Sequence, residues 1–417
     1  MGHGAWSMGT GYWGLGTGYW VLKIRLPTSL LPLLPLLPLL PLLPLLPRSP
    51  ASPAPLLPLL PLLPLLPLLP LLPLLPNPQL METLNYFLPQ VWFVILALFL
   101  FLYVMLDGFD LGVGILSLTS SDEERRGILM TSLSNIWDAN ETWLVLMGGG
   151  LFGAFPLAYG TILNALYIPI LTMVFGFIFR GVAFEFRELA RRKLFWNLAF
   201  GAGSFVAALG QGFALGAVLK GIKVDATGHF VGTTWDWLSW QSVLVALTLI
   251  QGYVLIGSTY LVWKTTGELQ EAHYKTAKIS AWTTLIGAIF ITVTTPIFYQ
   301  SARARLFEQP LVYIFAIIPL LGVLLVWQLL NSLNRKEERA PFVWTILLFV
   351  LTFIGLGLIV FPYIIPTQIT IYEAAADPSS LVIMIIFIGF LIPVMLFYNL
   401  YQYIVFRGKI TGDHYGR

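Results

Sequence analysis

Ile136-Trp137-Asp138-Ala139-Asn140-Glu141-Thr142-Trp143 places two carboxylates and an amide inside a segment that otherwise reads as membrane helix. A charged side chain at that depth costs about 2.5–3.5 kcal/mol on insertion scales, so such groups persist where they face the interior of a bundle. The preceding apolar segment repeats the pattern in Leu106-Asp107-Gly108-Phe109-Asp110-Leu111-Gly112-Val113-Gly114. Acids on neighbouring helices suit a proton route, a cation site or a fixed contact between helices.

The composition fixes the class. The chain is 57% hydrophobic and only 10% charged, with a mean hydropathy of +0.82; soluble domains carry about 25% charged residues. The expected fold is an all-α polytopic membrane protein. With no cysteine at all, disulfides, thiolate metal sites and cysteine-held iron–sulfur clusters are excluded. No P-loop, zinc motif, nucleophile elbow or nucleic-acid signature is present.

Residues 1–80 read differently from the rest. Leu30 to Pro76 is almost wholly Leu-Leu-Pro triplets, broken by Arg48-Ser49-Pro50-Ala51-Ser52-Pro53. Proline at every third position removes the amide donors a helix needs and restricts the residue before it. Such a run suits a polyproline II rod with solvated backbone, which cannot cross a lipid core. The Gly/Tyr/Trp-rich start, with Gly11-Tyr12-Trp13 and Gly18-Tyr19-Trp20, lacks the pattern of a signal peptide. A proline-rich tether is one reading. The other, preferred here, is translated repetitive DNA ahead of a start at Met81, which opens directly into a span.

Over 81–417, stretches of the ~20 residues needed to cross a bilayer recur about nine times, near 89–118, 133–163, 165–187, 195–219, 239–263, 279–300, 311–333, 342–365 and 381–406. The Gly148-Gly149-Gly150 run and Pro156 mark the second as a span that can bend or divide. The loops at 121–127, 187–193, 264–278, 334–339 and the tail from Arg407 hold most of the lysine and arginine; the opposite set has Lys220, Lys223, Arg303 and Arg305. That bias places the first set, and the C-terminus, in the cytoplasm. Trp235, Trp237 and Trp240 are expected in an aromatic belt at the outer boundary.

The candidate site residues are Asp107, Asp110, Asp138, Glu141, Arg180 and Glu185. Asp107 and Asp110 are three apart and share a helix face, as do Asp138 and Glu141; Asn135 and Thr142 fall on roughly the second face. Close carboxylates can share or pass a proton. The competing reading is hydrogen bonding and capping between helices near the inner boundary. Arg180 is placed to pair with a buried acid or to reach an anionic headgroup. Of the histidines His3, His229, His273 and His414, the first lies in the leader and the others read as loop or tail. A membrane haem needs axial His or Met inside the bundle, and the in-span residues Met105, Met147, Met173, Met384 and Met395 read as packing. No metal site and no haem with two histidine ligands is expected.

The region from Met81 onward resembles subunit II of the cytochrome bd quinol oxidases, including the cyanide-insensitive type. The matching motifs are Asp107-Gly108-Phe109-Asp110-Leu111-Gly112-Val113-Gly114, Trp137-Asp138-Ala139-Asn140-Glu141-Thr142-Trp143-Leu144 and Arg180-Gly181-Val182-Ala183-Phe184-Glu185-Phe186-Arg187. Phe361-Pro362-Tyr363-Ile364-Ile365-Pro366 and Val405-Phe406-Arg407-Gly408-Lys409 follow in order. Ala139 stands where glycine is expected, and the 398–403 segment lacks an expected tryptophan. The resemblance implies a heterodimer with a haem-bearing subunit I carrying haems b and d. Quinol then reduces oxygen to water with protons drawn from the cytoplasm, while subunit II holds no haem. It implies a bacterial cell membrane (internal membranes being the other option), a quinone of structural role in some members, and room for small accessory subunits. The acids above are then candidates for the proton-uptake route. A proton-coupled secondary transporter is the rival; it should show inverted repeats and paired broken helices, and no second Asp-rich motif occurs. A purely structural partner of the haem subunit is the third reading.

A chain initiated at Met81 is expected to assemble and work like the full one. The intact mass of the native subunit checks this, and a mass that includes residues 1–80 overturns it.

Overall fold

The computed structural model describes residues 78–120 and 122–410. The Leu-Leu-Pro stretch and the Gly/Tyr/Trp-rich start therefore lie outside the described residues, as do His414 and Arg417. The described chain is almost all helix: α1 (Pro78–Ser117), α2 (Glu123–Thr131), α3 (Trp137–Ala154), α4 (Pro156–Ala165), α5 (Tyr167–Leu189), α6 (Leu194–Lys220) and α7 (Trp240–Lys264). Then come α8 (Gly267–Phe298), α9 (Gln300–Leu306), α10 (Leu311–Asn334), α11 (Ala340–Val360), the small hairpin β1 (Tyr363–Ile365) and β2 (Ile369–Thr370), α12 (Ile371–Ala374) and α13 (Pro378–Val405).

Among the described residues, 8 helices are long and apolar enough to cross a membrane: α1, α5, α6, α7, α8, α10, α11 and α13. The stretch expected as the second span is instead two helices. They meet at Phe155, which is outside the helical region at φ −135°, ψ 65°, with Pro156 as the first residue of α4. Proline disfavours the helical conformation in the residue before it and is itself at ease at a helix start, so the sequence breaks there. The expected loop at 121–127 is largely α2, whose N-cap Asp122 accepts a bond from the Glu124 amide and whose first turn carries Glu123 and Glu124. Both features favour a helix start. The expected loop at 264–278 is also mostly helix, because α8 begins at Gly267. His273, read as a loop residue, is thus on α8 and buried.

Ionic contacts tie the basic loops together at one end of the bundle. Arg125 reaches Glu268 at 2.8 Å and Arg187 reaches Glu123 at 2.6 Å. Lys336 pairs with Glu271, Lys409 pairs with Glu338, and Lys264 Nζ donates to the Phe406 carbonyl at 2.5 Å. The charge sorting read from sequence therefore corresponds to a shared surface. At the other end Thr161 donates to the Gly228 carbonyl at 2.7 Å, and Lys220 donates to the Asp236 carbonyl at 2.9 Å. Hydrogen bonds from Thr227 and from the His229 amide, and from Thr233 and Lys223 respectively, hold the Asp225 and Asp236 carboxyls below the usual range in this loop. Trp235 and Trp240 are exposed there as a belt requires, but Trp237 is buried, its ring 5.0 Å from that of Phe213. The belt expectation fails for that residue because the loop folds it inward.

Close helix contact rests on small residues, since apolar side chains gain little by leaving lipid for one another. At Gly112 a Cβ would lie 1.8 Å from the Tyr253 carbonyl oxygen, and at Gly257 one would lie 2.7 Å from Gly112 backbone. Helices α1 and α7 thus touch backbone to backbone beside Asp107 and Asp110. At Gly389, by contrast, a Cβ would meet nothing within 4 Å. Gly112→Ala should destabilise by about 1–3 kcal/mol, the usual cost of overpacking, whereas Gly389→Ala should be neutral. Thermal unfolding of the purified protein in detergent checks the contrast, and equal midpoints overturn it.

Candidate functional site

Helix α1 turns Asp107 and Asp110 inward one after the other, and both are fully buried. Helix α5 delivers Arg180 from the opposite side, also at 0% exposure. Its Nη2 donates to Asp107 Oδ1 at 2.5 Å, with neither side chain touching solvent. The guanidinium sits 6.0 Å from the Trp137 ring centroid and 5.8 Å from that of Phe177. Arginine suits such a place, because its delocalised charge is weakly hydrated and lies well against aromatic faces.

Asp110 has no cation of its own. The amide of Asn140 on α3 donates to Asp110 Oδ2 at 2.9 Å and to the Leu106 carbonyl at 3.3 Å. The Asn140 carbonyl oxygen accepts from Tyr403 of α13 at 2.9 Å. One turn along α3, Trp143 Nε1 donates to Asn399 Oδ1 at 2.9 Å. Asp107 Oδ2, Asp110 Oδ1, Arg180 Nε and Arg180 Nη1 are buried without a protein partner. Interiors satisfy nearly all such atoms, with protein or with ordered water. Their concentration here marks the polar interior of the bundle.

The remaining candidates fall at other depths. Glu141 is half-buried and within electrostatic reach of Arg180, Asp107 and Asp138. Asp138 is exposed in the first turn of α3. Its backbone carbonyl accepts the Thr142 hydroxyl at 2.9 Å. Asn135 and Gln402 meet beside it, Gln402 Nε2 donating to the Asn135 carbonyl at 3.3 Å. Asp138 is therefore a rim residue rather than an interior one, since α3 starts only at Trp137. Glu185 is exposed on α5 and lies outside the cluster. Asn140 is the amide of the opening motif, but its bonds to Asp110 and Tyr403, and the part played by Asn399, do not follow from the sequence. The signal was there in kind: amides and phenols inside apolar spans seek partners.

A second buried chain adjoins Asp107. Tyr253 of α7 donates to Gln211 Oε1 at 2.6 Å, and Gln211 Nε2 on α6 donates to the Tyr103 hydroxyl of α1 at 2.6 Å. Among the described residues no group of three or more His, Asp or Glu side chains is arranged to hold a metal ion. His273 stands in the second turn of α8, with both ring nitrogens buried and without a partner.

Comparison with known proteins gives a consistent family. Residues 88–406 match the family model described as cytochrome bd terminal oxidase subunit II. The chain is 27% identical over 363 residues to the cytochrome bd-I ubiquinol oxidase subunit 2 of Escherichia coli (strain K12), covering 78% of this chain and 95% of that protein. It is 26% identical over 347 residues to the cytochrome bd ubiquinol oxidase subunit 2 of Bacillus subtilis (strain 168), covering 78% and 97%. A chain of the solved bd oxidase from Geobacillus thermodenitrificans superposes with a TM-score of 0.61 at 19% identity, covering 76% of this chain and 99% of that one. That last likeness speaks for the fold.

The ion pair makes a stability prediction. Arg180→Met alone strands a buried carboxylate and should cost about 3–5 kcal/mol, whereas replacing both members with apolar residues is often close to neutral. Arg180→Met combined with Asp107→Leu should therefore recover most of the loss. Thermal unfolding of the purified protein measures both, and a double variant as unstable as the single one overturns the account.

Proposed function

Because this chain belongs to the cytochrome bd terminal oxidase subunit II family, we propose that it is the haem-free subunit of a quinol oxidase and carries part of its proton-uptake route. Membership implies a partner subunit I, an oxidoreductase complex and a multi-pass place in the membrane. On our reading the haems b and d and the quinol site belong to that partner, where quinol is oxidised and oxygen reduced to water. Reduction of oxygen consumes protons, and these must reach a buried centre through protein. Among the described residues the one histidine on a membrane-length helix is His273, in the second turn of α8 near its basic end, which supports assigning the haems to the partner.

One observation carries the proton-route reading: burial deepens along the acids. Asp138 is exposed at the basic end, Glu141 is half-buried, and Asp110 and Asp107 are fully buried. Arg180 answers Asp107, while Asp110 has only the Asn140 amide and, through it, Tyr403. In this scheme Asp138 collects protons, Glu141 passes them inward, and Asp110 holds and releases them. Arg180 fixes Asp107 and sets the local charge. The lysine- and arginine-rich loops at the same end support a cytoplasmic face there, with the C-terminus on that side.

Asp110→Asn keeps the size and most of the hydrogen bonding of the carboxylate but cannot exchange a proton. It should lower turnover by about 100-fold, the lower range for loss of a proton-transfer group. Asp138→Asn should slow turnover less, since Asp138 is exposed where Asp110 is buried, and Asp138→Glu should retain more activity than Asn. Oxygen consumption with excess quinol, normalised to haem in the assembled complex, makes the measurement. Wild-type turnover in Asp110→Asn with full haem content would leave this subunit a structural partner only.

A further inference from the structure

We infer that Tyr403 is a positioning residue for Asp110, acting through Asn140: the phenol hydroxyl of α13 holds the amide of α3 so that its hydrogens face the carboxylate of α1. The inference deepens, and rests on, the proton-route reading above.

Each link is a hydrogen bond between side chains that the helices bring together. The Tyr403 hydroxyl donates to Asn140 Oδ1 at 2.9 Å, and Asn140 Nδ2 donates to Asp110 Oδ2 at 2.9 Å. The same Nδ2 donates to the Leu106 carbonyl at 3.3 Å. That carbonyl fixes the direction of the whole line, because a backbone oxygen can only accept. The amide must therefore turn its hydrogens toward α1 and its oxygen toward α13, and the Tyr403 hydroxyl must be the donor. Asn140 is 1% exposed, and Asp110 is fully buried. An amide oxygen so placed needs its donor, since a buried acceptor left unpaired has lost its hydration for nothing.

Packing puts the phenol where the amide needs it. The Tyr403 ring lies edge-on to Phe109, the residue before Asp110, with centroids 6.4 Å apart. Asn399, Gln402 and Tyr403 share one face of α13 by their spacing, and they bond to Trp143, the Asn135 carbonyl and Asn140 respectively. The opposite face of the same turns is bare, with Phe397, Leu400 and Tyr401 exposed. Helix α13 is thus clipped to α3 along one polar edge, and of its three bonds the one from Tyr403 continues to an acid. Among the described residues the Asn140 oxygen has no other donor, so without the hydroxyl the amide is free to leave the carboxylate. With it, Asp110 Oδ2 is occupied, and Oδ1, which is buried without a protein partner, is the oxygen left to take and give up a proton.

The test uses the assembled oxidase, with oxygen consumption under excess quinol normalised to haem. Tyr403→Phe keeps the ring against Phe109 and deletes only the hydroxyl. It should slow turnover about tenfold, the scale of one hydrogen bond. If the hydroxyl acts through Asp110, the same change made on top of Asp110→Asn should slow turnover no further, because that variant has no proton to exchange at the site. A residue that only ties α13 to α3 would give the same fold-loss in both backgrounds. Asn140→Leu repeats the comparison from the other side of the bond, and serves if Tyr403→Phe fails to assemble. Equal losses in the two backgrounds, or wild-type turnover in Tyr403→Phe, overturn the inference. Loss of haem in both variants marks a structural tie and overturns it as well. If Asp110→Asn itself turns over like wild type, the proton-route reading is what fails, and the positioning role falls with it.

Discussion

The contact on which the interior depends is the Asp107–Arg180 pair, closed at 2.5 Å with both side chains out of reach of solvent. A lone charge there would be untenable, and even a paired one recovers its desolvation only when the geometry is good and the spare atoms find partners. Much of the surrounding structure reads as meeting that condition. Trp137 and Phe177 flank the guanidinium. Asn140 brings α3 to Asp110, and Tyr403 brings α13 to Asn140. Helices α1, α3, α5 and α13 are joined through one polar cluster, which fixes their rotation in a way that lipid-like side chains cannot.

Fixing rotation requires close approach, which the glycines provide. Gly108, Gly112 and Gly114 lie between and just after the two acids, so one face of α1 is polar and another is nearly bare backbone. At Gly112 the carbonyl of Tyr253 occupies the place of a side chain, and at Gly114 the Ser204 hydroxyl oxygen would be 2.1 Å from a Cβ. The motif around Asp107 and Asp110 thus does two jobs. Its acids look toward α3 and α5, and its glycines admit α6 and α7. That arrangement brings Tyr253 and Gln211 within a turn of Asp107.

Much of this was legible in the sequence. The spans follow from apolar length, the shared basic end from the sorting of lysine and arginine, and the inward acids from their cost in lipid. For Arg180 the sequence leaves two readings, partner of a buried acid or anchor of an anionic headgroup, and the structure takes the first. The choice of Asp107 over Asp110 was not legible, since both lie on one face and only the packing of α5 against α1 distinguishes them. Nor were the bonds of Asn140 to Tyr403 and of Tyr103 to Gln211, which join residues far apart in the chain. Periodicity reports which way a side chain points, and a contact between helices depends on crossings it does not encode.

Asp138 shows how sharply depth depends on where a helix starts. Read as part of one span over 133–163, it falls inside the membrane half of the bundle. Residues 132–136 form turns instead, and the helix begins at Trp137. The carboxylate therefore lies in the first turn, where the unpaired amides of a helix start favour negative charge on their own. Helix-end electrostatics is then a cause for an acid at that position besides the proton collection proposed above. Asp110 has no such second cause. It stands two turns inside the end of α1, with one amide bonded to it and Arg180 only at electrostatic range. An acid kept where neither helix end nor solvent favours it is the residue on which a functional explanation of the cluster has to rest.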